Sequence, residues 1–118
     1  MLSNEEAPIF APMILYNVTV QTESEIEQEW VSWMQQEHIP QILATGLVEE
    51  ARLCRLTDTP EDSAPTYAAQ YLFPSRKQYE QYIANHASDL RQQGIERFGS
   101  RFVAFRTVLD VLSRHSKD

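Results

Sequence analysis

The groups in this chain that could do chemistry are few: three histidines, one cysteine and some polar side chains set inside apolar runs. His38 stands in Glu37-His38-Ile39-Pro40 near a helix end, where an imidazole with a near-neutral pKa can serve as a general base. The other reading is a terminal helix residue whose ring bonds a free carbonyl and complements the helix dipole. His86 keeps helical spacing with Ile83 and Leu90, which suits a hydrogen-bonded core residue better than an axial ligand. Asn17, Arg52, Gln70 and Arg106 are polar positions within strand-forming segments. A guanidinium enclosed in such a place needs a carboxylate or a bound anion, because an unpaired buried charge is costly. His38, His86 and Asn17 are thus the catalytic candidates, and Asn17, Arg52, Gln70 and Arg106 the ligand-binding ones.

Several chemistries are poorly supported. Cys54 is alone, so no internal disulfide and no Cys-rich zinc site can form, and no basic helix terminus is placed beside it to activate the thiol. A three-histidine metal site would have to recruit His115 from the polar tail, and none is expected. Gly46, Gly94 and Gly99 form no phosphate-cradling pattern, which excludes a P-loop or dinucleotide fingerprint. No metal or organic cofactor is identified. Glu49-Glu50 beside Arg52 reads as an ion pair on a strand face. With 10 Lys+Arg against 17 Asp+Glu the net charge is −7, which disfavours nucleic acid and anionic membrane as partners. No apolar run reaches the ~20 residues of a membrane helix. The acidic start, Met1 to Glu6, is unlike a signal peptide, so a cytoplasmic protein is expected.

The elements that must hold these groups are legible. Residues 1–12 read as a tail, residues 13–112 as one α+β domain, and residues 113–118 as a second tail. Met13 to Val20 is β-branched and aromatic, a strand. Ser24 with Glu27 forms a capping-box signature, followed by Ile26, Trp30, Trp33, Met34 and Glu37 on one helical side. Pro40 should interrupt that helix, with a short piece continuing to Thr45 before Gly46. A long strand spans Leu47 to Thr57, a turn-rich loop Asp58 to Pro65, and a third strand Thr66 to Phe73. Ser75 and Gln78 repeat the capping box ahead of a helix striped with Tyr79, Tyr82, Ile83, His86 and Leu90, which Gly94 would end, with a further turn through Phe98 before Gly99. Arg101 to Leu112 is the last strand. The order β-α-β-β-α-β implies a ferredoxin-like four-stranded antiparallel sheet, strand order 4-1-3-2, with both helices on one face.

Strand parity assigns side chains to faces. Ile14, Tyr16, Val18 and Val20 should meet the helices, as should Tyr67, Ala69, Tyr71 and Phe73. In the last strand Val103, Phe105, Thr107, Leu109 and Val111 are assigned to the helix side. Phe102, Ala104, Arg106 and Val108 then join Leu15, Asn17, Gln70 and Leu72 on the open side, with Glu50, Arg52 and Cys54. That open face is half apolar, so a homodimer packed sheet to sheet is expected. Arg106, Asn17 and Gln70 would form its polar centre, satisfied by Glu50 or Asp110 across the dimer or by a small anion.

Trp30-Val31-Ser32-Trp33-Met34, Glu37-His38-Ile39-Pro40, Ala44-Thr45-Gly46 and Ala51-Arg52-Leu53-Cys54-Arg55 resemble a family of short bacterial proteins classed as a domain of unknown function. Thr66 to Tyr71, His86-Ala87 and Phe98 to Thr107 extend the likeness from Met13 to about Leu112. More distantly the chain is similar to the dimeric α+β barrels, among them antibiotic-biosynthesis-type and haem-degrading monooxygenases, EthD-like proteins and stress-responsive barrels. The resemblance implies the same fold and a dimer. Two functions follow: a non-catalytic barrel binding a small molecule or protein, or a cofactor-independent oxygenase or EthD-like enzyme acting on an aromatic or polyketide-like molecule. The haem-degrading relatives pair a strand Asn with a Trp and a helix His. Asn17 and His86 match two of these, but no Trp follows Trp33.

Overall fold

Four strands and two long helices alternate along the chain in a computed structural model that describes residues 11–117. The elements are β1 (Met13–Thr22), α1 (residues 24–44), β2 (Glu50–Arg55), β3 (Thr66–Phe73), α2 (residues 76–98) and β4 (Phe102–Val111). The strands form one antiparallel sheet in the order β2-β3-β1-β4. This is the ferredoxin-like α+β arrangement expected from the element order. Most of the expected N-terminal tail, residues 1–10, lies outside the described residues.

The core lies between the helices and one sheet face. Ile14, Tyr16 and Val20 of β1 and Tyr67, Ala69, Tyr71 and Phe73 of β3 are buried there, as alternation requires. Trp30, Trp33, Met34 and Ile42 of α1 and Tyr82, Leu90 and Phe98 of α2 complete it. Aromatic contacts tie the layers together: the Trp30 and Tyr67 rings lie 5.2 Å apart and Tyr16 stands 5.6 Å from Tyr79. β2 keeps the expected parity, for Glu50, Arg52 and Cys54 pair with Leu72, Gln70 and Ala68 on the open face.

Both helices depart from the expected form. Pro40 does not break α1. The five residues Met34–His38 form a π turn in which the Ile39 N–H donates to the Met34 carbonyl five residues back. Pro40 then falls in the first turn of the renewed α segment, where its missing N–H is tolerated. A second π turn, Ile83–Ala87, shifts the α2 stripe by one residue, so buried Ala87 takes the place expected for His86, which is half-buried. Gly94 continues the helix instead of ending it. Gly99 ends it at φ 62°, with its N–H donating to the Ile95 carbonyl at 2.7 Å. The capping boxes also differ. Ser75 bonds the Gln78 side chain, not a backbone amide, and Glu27 instead accepts a 2.5 Å hydrogen bond from the Tyr67 hydroxyl.

Candidate functional site

The register of β4 corrects the expected polar cluster. Arg106 pairs directly with Val18, Ala104 with Val20 and Phe102 with Thr22, so all three face the helices. Val103, Phe105, Thr107, Leu109 and Val111 therefore lie on the open face, the reverse of the assignment made from the sequence. Both sets contain apolar residues, so alternation in β4 alone does not choose between them; pairing with β1 does. Arg106 is accordingly separated by the sheet from Asn17, Gln70 and Arg52.

Those three residues stay together on the open face. The Gln70 Nε2 donates to Asn17 Oδ1 at 3.3 Å, while Arg52 pairs with Glu50 at 2.7 Å. The Glu50 carboxylate of the same chain holds the Arg52 pKa above its ordinary value. The Arg52 guanidinium is thus satisfied within its own chain, and Glu50 with Arg52 is an exposed ion pair as anticipated.

The concave site is on the other side of the sheet. A cleft of about 340 Å³ runs between α1, α2 and the β1–β4 half of the sheet. This volume lies within the range of small-molecule sites. Trp30, Trp33, Met34 and Ile42 form one wall, Leu90, Gly94 and Ile95 another, and Val18, Val20, Phe102 and Ala104 the floor. Gly94 is needed for the close approach of the helices: a Cβ there would stand 3.3 Å from the Trp33 ring. Tyr16, Tyr71, Tyr82, His38, Arg91 and Arg106 supply the polar groups.

His38 enters this cleft because of the π turn. Five residues span well over one α-helical turn, but the wider π turn brings His38 back beside Trp33. Their rings stack at 4.5 Å with an interplanar angle of 23°. His38 Nδ1 is buried without a hydrogen-bond partner among the described residues. Burial lowers the imidazole pKa from 6.5 to about 4, so the ring is neutral at neutral pH. At the other end the Arg91 guanidinium donates to the Tyr16 hydroxyl at 2.7 Å. Tyr82 is pushed up to about 12, mainly by burial and by Tyr16, against the opposing pull of Arg91 and Arg106.

The catalytic candidates are not brought together. Asn17 is on the open face, His38 in the cleft, and His86 lies outside it, stacked on the Tyr82 ring at 6.3 Å. The strand Asn and helix His of the haem-degrading set are thus on opposite sides of the sheet. Among the described residues no group of three or more His, Cys, Asp or Glu side chains is placed to hold a metal ion. Cys54 is free and exposed on β2. Arg91 is a cleft residue that the sequence reading does not single out; its place next to Leu90 on the buried stripe is the available signal.

The family model for a domain of unknown function, DUF4286, matches residues 13–112. The chain belongs to the DUF4286 family. The family membership read from the Trp30–Pro40 and Phe98–Thr107 segments is borne out. No curated protein matches significantly. Among solved structures, a dimeric ferredoxin-like protein from an uncultured marine organism superposes with a TM-score of 0.68 at 9% identity, over 88% of this chain and 99% of that one. An EthD family protein from Bacillus halodurans gives 0.64 at 9% identity, over 84% and 99% of the two chains. An EthD-like protein from Ralstonia eutropha gives 0.64 at 13% identity, over 91% and 98%. At such identities the likeness establishes the shared fold of this DUF4286 chain. No helix among the described residues is long and apolar enough to cross a membrane.

Proposed function

We propose that this protein is a homodimer, joined through its open sheet faces, that binds a small apolar molecule in the helix–sheet cleft of each protomer. The observation that carries the binding reading is the 340 Å³ cleft itself, whose aromatic walls surround a buried, unpartnered imidazole nitrogen. A polar atom left without a partner in an apolar site is expensive, and a ligand group that bonds it removes the cost. The dimer rests on the β4 register: Val103 and Phe105 are each 58% exposed and Leu109 43% exposed in one protomer. Apolar surface of this kind on one sheet face marks an interface. The marine ferredoxin-like protein of the same fold is itself dimeric. A catalytic reading would make His38 the proton acceptor, but a pKa near 4 makes it a weak base at neutral pH, so binding is the better reading.

Trp30 and Trp33 are the two tryptophans of the chain and both line the cleft, so they report on occupancy. Phenylnaphthylamine, a neutral aromatic probe, should show saturable energy transfer from these indoles at one molecule per chain. Ala104→Phe, which fills the floor, should weaken binding by at least about tenfold, roughly 1.4 kcal/mol. A folded Ala104→Phe variant that binds the probe as well as wild type would refute the cleft as the site.

A further inference from the structure

The cleft is amphipathic along its length. Trp33, Phe102 and Gly94 close one end: a Cβ added at Gly94 would stand 3.3 Å from the Trp33 ring and 3.7 Å from the Phe102 ring, and the rings of Phe98 and Phe102 stand 6.4 Å apart beside them. Arg106 lies four residues further along β4, about 13 Å away at the rise of a strand. Arg91 reaches the same end from α2, and both guanidiniums act on the Tyr82 phenol. Arg55, Arg91, Arg106 and Arg114 enter no ion pair among the described residues, whereas Arg52, Arg76, Arg97 and Arg101 do, and of the unpaired four Arg91 and Arg106 both line the cleft. In a chain of net charge −7, where carboxylates outnumber cations, two arginines left together without one are a local anion site.

Resting on the cleft reading above, we propose that the ligand is an apolar monoanion, such as an aromatic or short-chain carboxylate. Its charged group sits between Arg91 and Arg106 and its apolar body lies against Trp33 and Phe102. The planar guanidinium forks match a carboxylate through paired N–H donors, and the low polarity of the adjoining walls strengthens that attraction. Arg91 is already oriented by its hydrogen bond to Tyr16, so the site is partly preorganised before a ligand arrives. The opposite end offers only aromatic surface and the neutral His38 ring, which suits an uncharged body.

Anilinonaphthalene sulfonate and its neutral parent phenylnaphthylamine differ only in the anionic group, the sulfonate standing in for a carboxylate. Both would be titrated into the full chain, wild type and Arg91→Gln and Arg106→Gln, with circular dichroism confirming the fold. The sulfonate should bind wild type at least about tenfold more tightly than the parent, and each substitution should remove most of that preference by weakening the sulfonate far more than the parent. Equal binding of the two probes to wild type would leave the cleft reading intact and overturn the anion. A sulfonate preference that survives both substitutions would overturn it as well. Binding of neither probe would overturn the cleft reading and the anion together. Should Arg91→Gln fail to fold, Arg106→Gln, on the exposed edge strand, decides the matter alone.

Discussion

Protonating His38 in the folded protein would place a cation against the Trp33 ring inside a cleft with an apolar interior. Burial lowers its pKa from 6.5 to about 4, so the unfolded chain takes up a proton as pH falls through 6.5 while the folded chain does not. The contribution to stability is therefore whole above pH 6.5, declines as pH falls toward 4, and stays flat below that. At roughly 1.4 kcal/mol per pH unit the full loss is ~3 kcal/mol, and between pH 7 and pH 5 it is ~2 kcal/mol. His38→Gln keeps a polar side chain of similar length and has no proton to take up. Urea melts of the two proteins at pH 7 and pH 5 isolate the effect, because carboxylates titrate alike in both and cancel in the difference. Wild type should lose ~2 kcal/mol more than His38→Gln on acidification. Equal losses would show that the imidazole is hydrated in solution, and the closed geometry around Trp33 would be wrong.

Four further outcomes follow from particular contacts. Phe105→Glu, on the open face and away from the helices, should leave the protomer folded and abolish the dimer in light scattering; a persistent dimer would remove the sheet-to-sheet interface. Ala104→Glu, by contrast, falls in the cleft and should leave the dimer intact while blocking phenylnaphthylamine. Gly99→Ala forces a side chain into a backbone at φ 62° that non-glycine residues avoid, and should cost ~1–3 kcal/mol in thermal melts. Tyr67→Phe removes the hydroxyl that donates to Glu27 and should cost about 1 kcal/mol.

The fold was largely legible because β1 and β3 alternate cleanly, with aromatic and β-branched residues on one face and Asn17, Thr19 and Gln70 on the other. β4 is different. Phe102, Ala104 and Val108 on one face and Val103, Phe105 and Leu109 on the other are all apolar, so parity carries no sign there. The more apolar set points away from the helices, where the proposed sheet-to-sheet dimer would cover it. One inverted strand moved Arg106 across the sheet and turned an expected interface cluster into a cleft arginine. The π turns were hidden for a related reason: a 3.6-residue template places Pro40 as a break and His86 as core, and only hydrogen bonds to the fifth residue back explain why His38 stacks on Trp33 and Ala87 is buried. Trp30 and Trp33, which helical spacing sets on one side of α1, are buried, and that burial is also what makes them cleft walls.

Methyl NMR of the isotope-labelled protein titrated with phenylnaphthylamine reads out which side of the sheet holds the ligand. Side chains on the two faces of the sheet are neighbours in sequence but separated by the backbone layer. With the ligand on the helix side, the methyls of Val18, Val20, Ile42 and Ala104 should shift together and saturate, while those of Leu15, Leu72, Val103 and Leu109 stay in place. Shifts confined to the second set would put the ligand on the open face and contradict the account.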